Sequence, residues 1–162
     1  MTSPYPAIRI PDIGMGASVA LWGFRAAAFN HTQCPALRAG FQEAMGPYGN
    51  IGVERLSILT QAIMRSGKRN IDLSPMPSFD VTSDELSIVA ILAAAQNDDG
   101  DLCSSHMSWL LCGGPQSEVN RAAHDVAEAF TLANLDLLKP GIELILKGPS
   151  SNATVFPQTG NA

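Results

Sequence analysis

The stretch from residue 81 to residue 96, VTSDELSIVAILAAAQ, constrains the fold of this chain more than any other feature. Thr82 and Glu85 have the spacing of a capping box, in which the hydroxyl accepts an early backbone N–H and the carboxylate accepts the N–H of Thr82. Val81 and Leu86 stand where a hydrophobic staple accompanies such a cap. Beyond the cap the segment is apolar almost all round, which is typical of a helix enclosed by other elements. The sequence therefore predicts a buried central helix.

The small side chains of this segment form a stripe along one side of the predicted helix. Ser87, Ala90 and Ala94 share that side when successive residues are placed about 100° apart. The distance between two packed helices depends on the side chains at their contact, so small residues allow a close approach. We therefore expect another helix, from this chain or from a symmetry mate, to pack on the stripe.

Further helices are predicted from apolar residues at helical spacing and from the Gly and Pro residues that begin or end helices. In the first, Trp22 and Phe29 are expected to be core anchors, and Arg25 is expected to face solvent. Asn50 is the predicted cap of another. The predicted segments are residues 17–30, 35–45, 50–66, 102–111 and 115–138.

The last predicted helix has the clearest amphipathic pattern in the chain. It begins at Pro115, is expected to be the longest, and should pack on the central helix through its apolar side. That stripe consists of Val119, Ala122, Ala123, Val126, Phe130, Ala133 and Leu137.

The predicted architecture is an all-α, single-domain bundle of five or six helices over residues 16–139. A chain of 162 residues is long enough to bury a core of this kind. Residues 1–15, with prolines at positions 4, 6 and 11, predict an extended arm that frays or lies across a neighbour. Residues 140–162 predict an extended, flexible tail.

The low charge content predicts self-association. Charged residues make up 15% of the chain, against about 25% in a typical soluble protein. A monomer with so few charges is expected to expose apolar surface, which a homodimer would cover. The net charge of −5 argues against nucleic acid or an anionic membrane as the main partner.

Cysteine usage and hydropathy bear on the compartment. The three cysteines are an odd number without a CxxC pair, and the first residues do not resemble a secretory signal, so reduced thiols in a cytoplasmic protein are expected. The longest apolar run, residues 88–95, is far shorter than the roughly 20 residues that span a bilayer. We therefore expect no membrane span.

Two short motifs have the spacing of metal ligands. His31 and Cys34 form one pair, and Cys103 and His106 form its mirror image. Two thiolates and two imidazoles would make a tetrahedral zinc site if the fold brought the pairs together. The alternatives are a hydrogen-bonded core histidine at His106 and a helix start at His31 and Cys34. Cys34 or Cys103 could also pair with His106 as a nucleophile, although no local signature supports this.

Other titratable groups suggest surface roles. His124 and Glu128 are one helical turn apart on the polar side of the last helix, which favours a surface pair over acid–base chemistry. Arg65, Lys68 and Arg69 cluster at one helix end, where they could neutralise carbonyl dipoles or bind phosphate. No nucleotide-binding, metalloprotease, di-iron or nucleophile-elbow motif occurs. An enzyme is therefore the less favoured expectation.

The order of these features resembles a family of small, uncharacterised all-helical bacterial proteins of unknown function. The resemblance rests on the apolar helix from Ala17, the segment 56–64, the Pro-rich bridge and the Thr-x-x-Glu start at Thr82, and it covers residues 17–138. It implies a bacterial cytoplasmic origin and carries no catalytic residues.

Two functions follow as hypotheses. The first is a non-enzymatic helical domain, a homodimer that acts through an apolar protein-interaction surface. The second is a small-ligand or metal-binding protein, either through the four His and Cys residues or through a pocket near Trp22, His106 and Trp109.

Overall fold

A computed structural model of the chain describes residues 8–137, and in this range the fold is all-α. The predicted fold class is confirmed. Residues 1–7 of the predicted arm and the predicted tail lie outside the described residues. Short 3-10 helices occupy Ile10–Ile13 and Gly46–Tyr48. The α-helices are α1 Met15–Ala28, α2 Pro35–Met45, α3 Gly49–Ser66, α4 Ser83–Gln96, α5 Gly100–Leu111 and α6 Ser117–Leu132.

Helix α4 is the centre of the bundle, as predicted. The Thr82 hydroxyl accepts the Glu85 N–H at 3.0 Å, and the Glu85 carboxylate accepts the Thr82 N–H at 2.9 Å. All residues from Asp84 to Ala95 are buried. They are covered by α1, α5 and α6. An apolar helix of this length is stable in water only when it is enclosed in this way.

The small stripe of α4 is covered by helices of the same chain. Ala90 belongs to a cluster with Ala17 and Leu21 of α1, and Ser87 faces His106 of α5. Ala94 is also buried. The close neighbours of the stripe are therefore helices of this chain and not those of a symmetry mate.

Helix α6 packs on α4 as predicted, and it packs on α3 as well. It is shorter than predicted, however, and α3, with 18 residues, is the longest of the described helices. Asn134 adopts a left-handed conformation (φ 59°) just past the end of α6. The Leu135 N–H donates to the Phe130 carbonyl at 2.9 Å. This is a Schellman ending, and asparagine tolerates its left-handed backbone conformation better than most other non-glycine residues do.

Two predictions about helix α1 are wrong. Arg25 was expected to face solvent, yet it is only 2% exposed. Phe29 was expected to anchor the core, yet it is 44% exposed. Helix α1 ends at Ala28, so Phe29 lies at its C-cap. Arg25 lies on a side of α1 that α4 and the segment before it cover.

The start of α3 also differs from the prediction. Asn50 was expected to be its cap, but α3 begins at Gly49 and its N-cap is Tyr48. The preceding 3-10 turn runs directly into the helix, so its backbone needs no side-chain cap at Asn50.

Candidate functional site

The four candidate metal ligands do not form a common site. His31 is exposed in the turn before α2, and Cys34 is exposed at the N-cap of α2. Cys103 and His106 are instead buried on α5. Within residues 8–137 no group of three or more His, Cys, Asp or Glu side chains is arranged to hold a metal ion. The predicted zinc set is therefore not assembled in this fold.

Cys103 has the properties of a core thiol. Its Sγ lies 3.8 Å from the Ile91 carbonyl and 3.7 Å from Asn120 Oδ1. Burial, and secondarily the charge of Asp99, raises the pKa of Cys103 from 9.0 to about 11. Since the thiolate is the nucleophile and the metal ligand, this protonated thiol is a poor candidate for either role at neutral pH.

His106 contacts a hydroxyl inside the bundle. Its Nδ1 lies 3.3 Å from Ser87 Oγ, and both residues are 2% exposed. A Ser–His contact is one part of a nucleophilic triad, but a substrate would have to reach the hydroxyl. Here the contact lies between α4 and α5, so it joins the two helices.

The two tryptophans have different surroundings, which does not favour the pocket predicted near Trp22, His106 and Trp109. Trp22 stacks on Phe41, with 5.9 Å between ring centroids. Trp109 is 45% exposed, and the Arg69 guanidinium lies 4.9 Å from its ring centroid. Trp22 thus joins α1 to α2, whereas Trp109 lies at the surface of α5.

The densest polar cluster lies at the first turn of α4 and was not predicted from the sequence. Arg25 donates from Nε to Glu85 Oε1 at 2.6 Å and from Nη2 to Glu85 Oε2 at 3.0 Å. The pair is bidentate and buried, since Arg25 is 2% exposed and Glu85 is fully buried. Two opposite charges can be buried together only if their remaining hydrogen-bonding groups are also satisfied.

Both partners of this ion pair meet that condition through the α3–α4 segment, residues 67–82. The remaining Arg25 donors reach the carbonyls of Ser78 at 2.7 Å, Asp80 at 2.8 Å and Pro75 at 3.4 Å. All five N–H donors of the guanidinium are therefore engaged. Arg25 thus holds a segment that contains no helix and only a single β-bridge, between Asp80 and Arg9.

Glu85 completes the cluster from α4. Besides Arg25, its carboxylate accepts the backbone N–H of Ser74 at 3.2 Å and that of Thr82 at 2.9 Å. Within the described part of the chain, no buried side-chain nitrogen or oxygen lacks a hydrogen-bond partner. The capping-box carboxylate therefore acts both as a helix cap and as the counter-ion of Arg25.

A second ion pair holds the beginning of the same segment. Arg69 donates to both carboxylate oxygens of Asp84, at 2.8 and 3.0 Å. Asp84 also accepts the N–H of Asp72 at 2.6 Å, and the Thr82 hydroxyl donates to the Asp72 carbonyl. The hydrogen bond to Asp84 raises the pKa of Arg69. The first turn of α4 therefore fixes both halves of the α3–α4 segment.

The sequence does contain one signal of the buried pair. Arg25 is the only charged residue in α1, whose sequence is MGASVALWGFRAAA. A single charge in an apolar helix needs either solvent or a buried counter-ion. Its partner, however, lies 60 positions away in the chain. Helical periodicity carries no information about such a contact.

Arg65 and Arg69 of the basic cluster, and Glu128 of the predicted surface pair with His124, form ion pairs with other residues of the chain. Arg65 pairs with Glu118, and Arg69 pairs with Asp84, so each arginine has a carboxylate partner within the chain. His124 and Glu128 are exposed, but Glu128 pairs with Arg55 of α3 at 2.9 Å. These contacts join helices and give little support to a phosphate site.

An open groove with a volume of about 220 Å³ lies between the end of α4 and α6. Its size is below that of typical ligand pockets, about 300–1,000 Å³. Gln96 uses its amide to hold the chain after α6, donating to the Leu135 carbonyl and accepting the Leu137 N–H. The groove is lined by Ala95, Gln96, His124, Ala127, Glu128, Thr131 and Leu132.

The outer surface of α3 is the remaining candidate. Ile51 and Ile58 are 40% and 52% exposed there. They are seven residues apart, so they lie on the same side of the helix. The ion pairs Arg55–Glu128 and Arg65–Glu118 show that α3 and α6 are antiparallel. In antiparallel helices, the residue one turn before Arg55 on α3 lies beside the residue one turn after Glu128 on α6. These residues are Ile51 and Leu132, and Leu132 is 51% exposed.

Comparison of the chain with protein-family models, with curated proteins and with solved structures gives no match. The resemblance to a helical bacterial family therefore stays an expectation from the sequence. None of the helices within residues 8–137 is long and apolar enough to cross a membrane.

Proposed function

We propose that this protein is a non-enzymatic helical interaction domain that self-associates through the outer surface of α3. The observation that carries the proposal is the exposure of Ile51 and Ile58 on one side of that helix. Single exposed apolar side chains are common on soluble proteins, but neighbouring ones mark interaction surfaces. Leu132 of α6 extends the apolar area at the Ile51 end.

The chemistry of the other candidate sites supports the same choice. Cys103 is a protonated core thiol, and the Ser87–His106 contact is enclosed. The Arg25–Glu85 pair is used fully by the fold. Interaction through α3 requires none of these groups to react, whereas catalysis by any of them would require a substrate to reach it.

We also propose a cytoplasmic location. All three cysteines are free thiols. Free thiols are typical of proteins in reducing compartments, whereas disulfides form and persist in oxidising ones.

The test replaces Ile58 with glutamate and measures the molar mass by sedimentation equilibrium. Burying an isoleucine contributes about 1.5–3 kcal/mol. A two-fold dimer contains Ile58 twice, so the substitution removes this contribution from both chains. Ile58→Glu is therefore expected to raise the Kd of the dimer more than about tenfold. Phe79→Glu is the matched control, because Phe79 is exposed to a similar degree (57% against 52%) but lies in the α3–α4 segment. It should leave the Kd unchanged.

The natural chain is measured from about 1 to about 200 µM, the range in which weak homodimers dissociate. A monomer mass throughout that range would overturn the proposed function. An equal effect of Ile58→Glu and Phe79→Glu would show that α3 is not the interface.

A further inference from the structure

The outer surface of α3 has the residue spacing of a helix-pairing seam. Five of its exposed residues, all on one side of the helix, recur at alternating intervals of three and four positions. This is the a/d spacing along which two helices pack in a coiled coil. Over these positions the seam is about 21 Å long at 1.5 Å per residue. The seam residues are Ile51, Glu54, Ile58, Gln61 and Arg65.

Charges on the seam are separated along the helix axis. Glu54 lies toward its beginning and Arg65 at its end, with Ile58 and Gln61 between them. The intervals between these four residues are four, three and four, so they read the same in both directions. A second α3 that runs antiparallel therefore places the partner's Arg65 opposite Glu54 and the partner's Gln61 opposite Ile58. A parallel copy would place glutamate opposite glutamate.

Arg65 is available for a second carboxylate. Its side chain is 57% exposed although it pairs with Glu118. A guanidinium has five N–H donors and can serve two carboxylates at once. The pairing with Glu118 also orients Arg65 before association, which reduces the entropy lost in the interface.

We infer that the partner of this surface is a second copy of the chain, with α3 packed antiparallel on α3 about a two-fold axis near residues 59 and 60. The inference rests on the proposed function and specifies its partner and register. Ion pairs between Glu54 and the partner's Arg65 flank a centre formed by Ile58 and Gln61. Ile51 lies one turn beyond Glu54, where it covers the aliphatic stem of the partner's Arg65.

The test reverses one charge in each of two variants, Glu54→Arg and Arg65→Glu. Alone, each variant brings like charges together in its own homodimer, and its Kd is expected to rise at least about tenfold. Mixed in equal amounts, the two variants restore both ion pairs, because one chain carries two arginines on the seam and the other two glutamates. The mixture is therefore expected to form a heterodimer, which native mass spectrometry identifies by its mass.

Three controls separate the possible outcomes. Glu43→Arg makes the same charge change at an exposed position of α2 and should not alter the Kd. The melting temperature of each variant reports its folding. If either reversal unfolds the domain, Glu54→Gln removes the ion pair without repulsion and should weaken the dimer several-fold.

The outcomes also distinguish the inference from the proposed function. A natural chain that is monomeric overturns both. A natural dimer whose Kd does not change in the single variants, or two variants that stay monomeric when mixed, would overturn the antiparallel α3 pairing while leaving self-association in place.

Discussion

Arg25 is the residue on which the fold depends most strongly, because it is a buried charge with every donor engaged. Its guanidinium joins α1 to Glu85 and to carbonyls of the α3–α4 segment. Removing one partner of such a pair leaves an uncompensated charge in the interior, which costs more than the pair contributes when intact.

Arg25→Met is therefore expected to lower the free energy of unfolding by about 3–5 kcal/mol. Urea denaturation followed by circular dichroism measures this loss. Arg55→Met is the control, since the Arg55–Glu128 pair lies at the surface and such pairs contribute about 0–1 kcal/mol. Adding Glu85→Leu should recover only part of the loss, because Ser74 and Thr82 would then lose their acceptor. Equal losses in Arg25→Met and Arg55→Met would refute this account.

The three thiols should differ in reactivity. Cys34 and Cys112 are exposed, whereas Cys103 is buried with a pKa of about 11. In the native protein at pH 8, Cys34 and Cys112 should react with a thiol reagent within minutes, and Cys103 only after unfolding. Peptide mapping of the labelled protein assigns the sites. Fast labelling of Cys103 would contradict its placement in the core.

Cys103 should also make stability depend on alkaline pH. Its pKa is raised in the folded state from 9.0 to about 11. The unfolded chain thus loses this proton first, so the contribution is complete below pH 9 and is lost as the pH rises toward 11. Cys103→Ala should flatten the dependence of the free energy of unfolding over this interval. An unchanged slope in that variant would show that another group is responsible.

At the scale of the element, several helices end at a left-handed residue that is not glycine, so a search for glycine does not locate these ends. Asn30, Asp98 and Asn134 adopt left-handed conformations just past α1, α4 and α6. Asn and Asp tolerate this region because their short polar side chains bond locally. The end predicted from Gly and Pro is accurate for α2, which stops before Gly46. It is misplaced for α6, because that helix ends at a left-handed asparagine before Pro140 is reached.

Gly16 allows the chain after α6 to cross the start of α1. A Cβ at this position would lie 2.0 Å from the backbone oxygen of Asp136. Gly16→Ala is expected to displace residues 133–137 and to cost about 1–3 kcal/mol, the range for overpacked sites. Gly100→Ala, where a Cβ meets nothing within 4 Å, is the control and should be neutral or slightly stabilising. Thermal unfolding compares them, and a Gly16→Ala variant as stable as the natural chain would contradict the close approach.

At the scale of the whole molecule, the bundle encloses α4 and leaves α3 with one side in solvent. Helix α4 is thereby excluded as an interface, although its stripe of small residues suggested one. The exposed isoleucines of α3 lie on a helix that also buries a full apolar side, including Leu56 and Leu59. Association through α3 would cover apolar surface without disturbing that core.

The sequence by itself determined that the chain forms helices, where α2 and α4 begin, and that residues 83–96 are central. These are local properties, because a capping box and an apolar period act over a few neighbouring residues. Only the tertiary structure decided that Arg25 is buried against Glu85, that Cys34 and Cys103 belong to no common metal site, and that Ile51 and Ile58 of α3 are exposed. Each of these depends on contacts between segments far apart in the chain, and the burial that determines them exists only once the helices have packed.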